Sequence, residues 1–305
     1  MRFGSVFIDT RSFFFALFLN DDFRAQSVII YSLRLPRVLT GIVAGAGLGV
    51  SGVLLQCVTG NKMASPGLIG VNSGAGFAVI LALTVGIPYV LLPFVSFLGA
   101  FFATLAIIAI AGRIGMTKNT VVLSGIAFSA ILSAGISLFS LLDSDVLVSY
   151  NAFSVGSLAG AELKNIILPA ILVALAITVS SIFASRLNIL TLGAPIASSL
   201  GVNVKYMRII SMLLASVAAG AAVSAVGLLG FVGLMSPHIA RALVGPDARR
   251  LVPFTALVGA DLVLAADLCG RVLFAPGEMP VGVLMALLGA PFFLAILLKG
   301  GQRDA

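Results

Sequence analysis

Long apolar segments, separated by short polar breaks, follow one another from about residue 38 to the end of this sequence. Nine of them come close to the twenty or so residues that a helix needs to cross a membrane. They lie at about residues 38–56, 67–86, 89–111, 120–142, 165–185, 207–226, 229–244, 252–270 and 280–298. The pattern predicts an all-α polytopic membrane protein, with residues 1–305 forming a single compact transmembrane domain of about nine helices.

Two segments depart from this pattern. The early apolar run at residues 13–19 has only seven residues, about 10 Å of helix, or a third of the hydrocarbon core. We therefore expect residues 1–37 to form an external or interfacial N-terminal segment. The segment at 229–244 is also short and contains Pro237, so we expect it to be tilted, broken or only partly embedded.

The first predicted membrane helix has a specific start and a specific face. Arg34 and Arg37 flank Pro36, and proline suits the first turn of a helix because its missing N–H would have no intrahelical partner there. Glycines then recur every fourth position and leave a groove in which the backbone of a neighbouring helix can lie: Gly41, Gly45 and Gly49. The sequence predicts that a closely packed membrane helix begins here.

The composition agrees with a membrane bundle. The chain is 60% hydrophobic and 10% charged, whereas a soluble domain carries about 25% charged residues. Its net charge of +7 does not indicate nucleic-acid binding, since no Lys/Arg-rich block is present. Cys57 and Cys269 are far apart and His238 is the single histidine, so we expect neither a disulfide nor a metal site.

The basic residues predict an orientation. They concentrate in alternate loops at 57–66, 112–119, 186–208 and 241–250 and in the tail at 299–305. After residue 37 the other loops hold only Lys164 and Arg271 as basic residues. Because positive loops face the cytoplasm, the C-terminus is predicted to be cytoplasmic and residues 1–37 external. Nothing in residues 1–37 would carry the N-terminus across, so we expect a further helix upstream.

Two stretches are candidates for interaction or transport. Loop 186–208 is apolar for a loop; Pro195 fits the first turn of a short helix and Gly201 fits its end. It is either a docking surface for a soluble partner or an interfacial helix in the lipid headgroups. A stripe of small residues on span 120–142 forms either the wall of a solute pathway or a helix-packing face: Gly125, Ser129, Ser133 and Ser137.

Acidic residues inside span 252–270 are functional suspects by default. Asp267 lies one helical turn before Arg271, and a local ion pair accounts for it. Asp261 lies nearer the middle of the span and is the one residue that suggests an ion-coupled secondary transporter, in which Asp261→Asn would abolish gradient-driven uptake. The sequence contains no catalytic triad and no P-loop, so we expect no catalysis by this chain, and any ATP must be bound by another one.

Several motifs occur in an order that resembles one known family. They are Arg34-Leu-Pro-Arg37 with the glycine-rich helix after it, residues 61–75, residues 230–241, and the pair 279–282 and 288–291. The sequence is similar to the FecCD-type (type II) permeases of ABC importers for iron–siderophores, haem, vitamin B12 and related metal chelates. Lys62 and Met63 depart from the family's usual proline and leucine, and the first of the family's ten helices is absent.

The resemblance implies an assembly in a prokaryotic cytoplasmic (inner) membrane. Two permeases, either two copies of this chain or this chain and a sister, would surround one pathway within the lipid. Two cytoplasmic ATPase subunits would bind ATP and Mg²⁺, a substrate-binding protein would dock outside, and this chain would hold no cofactor.

The resemblance also implies roles for individual residues. Those implied to meet the acidic side chains of the binding protein are Arg34, Arg37 and Arg271, and charge reversal at the first two should weaken docking. The ATPase coupling residues are Leu190, Leu192, Gly193, Ala197, Leu200 and Gly201. The cytoplasmic gate comprises Lys118 and Asn119, and the pathway lining comprises Gly125, Ser129, Ser133 and Ser137.

Overall fold

A computed structural model describes residues 24–275 and 277–301 of the chain. Within those ranges the backbone forms helices and turns and no strand, which confirms the predicted all-α class. The α-helices are α1 (Arg24–Val28), α2 (Leu35–Thr59), α3 (Val71–Thr84), α4 (Leu92–Ile114), α5 (Lys118–Leu142), α6 (Ser144–Val155), α7 (Leu163–Ile182), α8 (Ala184–Thr191), α9 (Ala194–Ser199), α10 (Val204–Val226), α11 (Val232–Val244), α12 (Ala248–Val272) and α13 (Val281–Gly301).

Every predicted span coincides with one of these helices, but their lengths differ. Six helical segments in the described part of the chain are long and apolar enough to cross a membrane. By contrast α3 has 14 residues and α11 has 13, which correspond to about 20 Å of helix against a hydrocarbon core of about 30 Å. The prediction that segment 229–244 is short is therefore confirmed, and Pro237 lies inside α11.

The α-helix predicted at Arg34 is observed, with Arg34 as its N-cap and Pro36 in its first turn, but helical backbone that was not predicted already precedes it from Arg24. It runs through α1 and a π-helical turn, Ile29–Arg34, directly into α2. Pro36 has no N–H to donate, and its ring would crowd the preceding turn of a regular α-helix. The wider π turn, in which the Leu35 N–H reaches the carbonyl of Ile30, accommodates it. The predicted interfacial run at 13–19 lies outside the described residues.

Helix α6 was not predicted, since residues 143–164 were interpreted as a connecting loop. Asp143 caps it: its carboxylate oxygen accepts hydrogen bonds from the backbone N–H groups of Asp145 at 2.8 Å and Val146 at 3.3 Å. An aspartate followed by a short polar and apolar mixture is a standard helix start, and this signal was available in the sequence.

Helix α2 is the centre of the bundle, packed on four sides by α12, α10, α11 and α7. Its glycine face lies against α12. A Cβ at Gly45 would lie 2.2 Å from the carbonyl oxygen of Gly259, and one at Gly49 would lie 2.9 Å from that of Thr255. Backbones in such close contact leave no room for side chains, so α2 and α12 form a tightly packed pair.

The outer helices present apolar faces that the chain itself does not cover. Helix α5 is the least buried of the six long helices, and α7 and α4 follow it. Large side chains on α5 such as Leu123, Ile131 and Leu141 are exposed. Exposed apolar surface on this scale marks contact with lipid or with another protein chain.

Candidate functional site

The end of the bundle where α2 begins and α12 ends carries three arginines and is called the arginine end below. Arg37 on α2 donates from Nε and Nη2 to Oδ1 of Asp267 on α12, at 2.9 and 2.8 Å. The other oxygen of Asp267 lies 3.0 Å from Nε of Arg271, one turn further along α12. The predicted ion pair of Asp267 and Arg271 is confirmed, and Asp267 bridges two arginines.

A second carboxylate binds Arg37 from the loop before α13. Glu278 accepts from Nη1 of Arg37 at 2.7 Å. Its side chain is 36% exposed, whereas that of Asp267 is only 4% exposed. The two acids therefore differ in kind: Asp267 is a buried part of the bundle, and Glu278 reaches Arg37 from the surface.

The three arginines meet at one cavity of about 420 Å³. Arg34, Arg37, Arg271 and Glu278 line it, together with the loop 158–161 between α6 and α7. Arg34 and Arg271 are largely buried, and both line this cavity together with Arg37. Three guanidinium groups at one cavity suit an incoming carboxylate.

The opposite end of the bundle, where α2 ends and α12 begins, is called the loop end. Lys118 is the first residue of α5, and a Cβ at Gly60 would lie 2.2 Å from its Nζ, so its ammonium group lies at the C-terminus of α2. A cation is favourable there, because helix C-termini carry partial negative charge. Asn119 is exposed beside it.

Arg208 fixes the turn that precedes Lys118. It lies in the first turns of α10, is largely buried, and donates from Nη1 to the backbone carbonyl of Met116. No sequence motif marked Arg208 as more than a loop cation. Its partner is a carbonyl 92 positions away, a contact that only the fold creates.

The predicted loop 186–208 contains two helices rather than one. The short helix expected at Pro195 is confirmed as α9, with Gly201 in a left-handed conformation after it; α8 was not predicted. The six predicted coupling residues fall into three groups. Leu192 and Leu200 are exposed, together with Ile196; Leu190 and Ala197 are buried; and Gly193 and Gly201 take turn conformations.

Helix α8 is bound to the start of α12 by reciprocal hydrogen bonds. The side-chain amide of Asn188 donates to Oδ1 of Asp247 at 2.7 Å, and its oxygen accepts from the backbone N–H of Ala248 at 2.7 Å. Arg249 adds a hydrogen bond to the hydroxyl of Ser185 at 2.9 Å. The pKa of Asp247 is lowered, chiefly by the hydrogen bond from Asn188 and next by the backbone N–H of Arg249.

The small stripe on α5 divides into a packed part and an exposed part. A Cβ at Gly125 would lie 1.8 Å from the carbonyl oxygen of Leu68, so Gly125 packs against a neighbouring turn and does not line an open pathway here. Ser129 is half-buried and hydrogen-bonds to Ser73 at 3.1 Å. The stripe then becomes exposed at Ser133 and Ser137.

Asp261 and His238 do not belong to either charged cluster. Asp261 lies on an exposed face of α12. His238 on α11 packs edge-to-face against Phe292 with ring centroids 5.9 Å apart.

Comparison with known proteins agrees with these features. Residues 1–299 match the FecCD transport family. The chain is 38% identical over 280 residues to the hemin transport system permease protein HmuU of Yersinia pestis, covering 90% of this chain and 83% of that protein. It is 35% identical over 295 residues to the iron(3+)-hydroxamate import system permease protein FhuG of Bacillus subtilis, covering 93% of this chain and 87% of that protein.

Solved structures show the same architecture. A metal-chelate type ABC transporter in an inward-facing conformation superposes with a TM-score of 0.85 at 33% identity, over 90% of this chain and 89% of that one. PsaBC from Streptococcus pneumoniae shares the fold alone, with a TM-score of 0.61 at 18% identity. The helical bundle, the family match over nearly the whole chain and these relatives agree: the chain belongs to the FecCD transport family and is an ABC importer permease.

Proposed function

We propose that this chain is the membrane half of an importer that carries a metal chelate, such as an iron–siderophore or haem, across a prokaryotic cytoplasmic membrane by alternating access. Relatives named for hemin and iron–hydroxamate transport support this solute class. The importer pairs the chain with a second permease, two ATPase subunits and a substrate-binding protein. The chain itself performs no covalent chemistry, and ATP and Mg²⁺ are held by the ATPase subunits.

The arginine-lined cavity is the observation that carries the binding-protein role. A cavity lined by three largely buried arginines favours a carboxylate delivered by another protein. The partial exposure of Glu278 supports a mechanism in which an acidic side chain of the binding protein takes its place on Arg37. The arginine end is then the external end.

Docking is tested by removing one charge at the cavity. Arg34→Gln keeps a polar planar group but removes the cation, and should weaken binding of the binding protein about ten-fold, since hydrogen bonds to charged groups contribute about 1.5–3 kcal/mol. The matched control is Lys164→Gln, at an exposed cation that pairs with Glu162 and does not line the cavity. Surface plasmon resonance on permease in nanodiscs measures both. Equal affinities for the two variants would refute the docking role.

The exposed apolar residues at the loop end support the ATPase contact. Leu192, Ile196 and Leu200 stand on the exposed surface around α9, at the end that carries most of the basic loops. Replacing all three with serine should abolish co-purification of the ATPase subunits and leave the permease folded. Leu273→Ser is the control, because Leu273 is similarly exposed but lies at the arginine end. Retained co-purification in the triple variant would exclude this surface.

The exposed half of the α5 stripe supports a pathway lined by Ser133 and Ser137. Single cysteines at these positions, in a Cys269→Ser background that removes the exposed native thiol, should react with a water-soluble thiol reagent. Ile131→Cys is the control, since two residues along a helix correspond to about 200° of rotation and place position 131 on another face. Equal labelling at all three positions would argue against a pathway on this side.

The basic loop end supports a cytoplasmic C-terminus. A green fluorescent protein fused after residue 305 should fluoresce, because it folds in the cytoplasm and not after export through the Sec pathway. A dark fusion whose alkaline phosphatase counterpart is active would reverse the orientation.

A further inference from the structure

The two ends of the molecule are joined by one helix. Helix α12 starts at the loop end, beside Asn188, and ends at the arginine end with Asp267 and Arg271. Its 25 residues correspond to about 37 Å of helix. A displacement of the first turn of α12 therefore also moves the residues of the arginine cluster at its other end.

Contact with α2 keeps α12 rigid along this path. Gly45 and Gly259 place the two backbones against each other, with a Cβ on either glycine 2.2 Å from the other's carbonyl oxygen. Such a contact cannot absorb a relative shift by rotating side chains, because there are none. Near one end of this pair, Arg37 of α2 is bound to Asp267 of α12, so the two helices move the arginine cluster as one body.

The two helices of loop 186–208 are attached to the bundle at different places, since α8 packs on α2 and α12 and bonds to α12 through Ser185 and Asn188, whereas α9 leads into α10. Helix α9 leads directly into α10, where Arg208 holds the turn before the gate residues. Helix α8 is instead attached to α12 through Asn188, which both donates to Asp247 and accepts from Ala248. The Asn188 side chain bonds both to the N-cap residue Asp247 and to the N–H of Ala248. Two such bonds fix the position of α12 relative to α8 more firmly than one bond would.

We propose that Asn188 is a positioning residue that transmits movement between the ATPase side and the arginine cluster, through the α2–α12 pair. Docking of the binding protein at the arginine end thereby stimulates ATP hydrolysis at the loop end. The gate is served by the separate attachment through Arg208. This inference rests on the proposed function, in which α9 contacts the ATPase and the arginine cavity receives the binding protein.

The test measures ATP hydrolysis by the complete importer in nanodiscs, with and without saturating binding protein. Asn188→Ala should leave basal hydrolysis unchanged and reduce its stimulation by the binding protein about five-fold, the low end of the usual range for coupling between two sites. Asn188→Asp should reduce stimulation further, because it places a second carboxylate against Asp247. Thr191→Ala is the control on the same helix, since that hydroxyl bonds only within α8.

A double variant distinguishes a loss of transmission from simple damage to the structure around Asn188. The double variant Asn188→Asp with Asp247→Asn exchanges donor and acceptor while keeping one amide and one carboxylate. The new carboxylate still accepts from the Ala248 N–H, but the amide nitrogen that replaces Oδ1 of Asp247 cannot accept from the Arg249 N–H as that oxygen does. Stimulation should therefore return in part. Should Asn188→Ala fail to assemble, the comparison of the single Asn188→Asp variant with this double variant decides the question.

Three outcomes are distinguishable. Full stimulation in both Asn188→Ala and Asn188→Asp would overturn the proposal, and so would a double variant as poorly stimulated as Asn188→Asp alone. Absence of stimulation in the unaltered importer would instead refute the proposed docking or ATPase partnership. Loss of stimulation with basal hydrolysis intact and rescue by the double variant is the expected result.

Discussion

Arginines at the two ends of this permease bind different kinds of partner. At the arginine end, Arg37 binds two carboxylates and Arg271 shares one of them. At the loop end, Arg208 binds a backbone carbonyl and Arg241 binds the side-chain oxygen of Gln56 at 2.9 Å. Carboxylates bind Arg37 and Arg271 at one end, and neutral oxygen acceptors bind Arg208 and Arg241 at the other.

The difference agrees with the roles proposed for the two ends. The surplus of basic residues in the loops at the loop end agrees with a cytoplasmic surface. Carboxylates at the arginine end keep buried guanidinium groups stable while no partner is bound, and one of them, Glu278, is exposed enough to be exchanged. A buried charge without a partner is strongly destabilising, so a docking site made of arginines requires such resident acids.

The largest expected effect comes from breaking the helix pair that joins the two ends. Gly45→Ala introduces a Cβ within 2.7 Å of three backbone atoms of α12. Ordinary overpacking costs about 1–3 kcal/mol, and the cost here is larger because backbone atoms cannot rotate out of the way. Fluorescence-detected size exclusion in detergent should show loss of the folded peak. Gly112→Ala is the control, with no atom within 4 Å of its Cβ; equal loss in both would disprove the close contact.

The next largest effect is expected at Asp267. Asp267→Asn removes the buried carboxylate that bridges Arg37 and Arg271, and breaking a buried ion pair costs about 3–5 kcal/mol, reduced here because Glu278 still binds Arg37. The thermal unfolding midpoint should fall by several degrees. A midpoint equal to that of the unaltered protein would show that the arginine end does not need its resident acid.

A smaller loss is expected at the loop end. Arg208→Gln shortens the side chain and frees the Met116 carbonyl, and a buried acceptor left without its partner costs about 1–3 kcal/mol. Arg113→Gln, at an exposed arginine near the end of α4, should leave the unfolding midpoint unchanged. If the two variants unfold at the same temperature, the contact with Met116 contributes nothing to stability.

The smallest effect is expected at Glu278. Glu278→Gln removes a partly exposed ion pair with Arg37, and such pairs contribute about 0–1 kcal/mol. The unfolding midpoint should shift by no more than a degree or two. A shift as large as that of Asp267→Asn would mean that Glu278 contributes as much to stability as the buried Asp267.

Asp247 is a carboxylate at the loop end, and the pH at which it titrates gives a further prediction. The hydrogen bond from Asn188 lowers the pKa of Asp247 below its ordinary value of 3.8. The lowered pKa means that its stabilising effect is complete above the unfolded value and is lost as pH falls through the folded one. The pH profile of docking-stimulated hydrolysis should therefore show no titration of Asp247 between about pH 6 and 8. Asp247→Asn with a shifted pH profile in that window would contradict this.

The sequence predicted the helices, and contacts between residues close in the chain, better than contacts between distant residues. Apolar length located all nine spans, and Pro195 with Gly201 located α9, because these signals are local. The spacing of Asp267 and Arg271 predicted their ion pair for the same reason. The partnership of Arg37 with Asp267 spans 230 positions, and that of Asn188 with Asp247 spans 59. No local pattern encodes such contacts.

Pro36 shows a different limit. Proline is favourable at a helix start, and that rule predicted a boundary at Arg34. The same residue is also tolerated where a π turn widens the helix before it. A helix start and a π turn can both precede the same local sequence around Pro36, so only the fold distinguishes the two cases.

We propose that Glu278 occupies, on Arg37, the place of an acidic side chain of the binding protein. The most direct measurement is the affinity of the binding protein for the Glu278→Gln permease in nanodiscs at low salt. Removing the competing carboxylate should tighten binding relative to the unaltered permease, and the gain should diminish as salt screens the charges. Unchanged or weaker binding would contradict the claim.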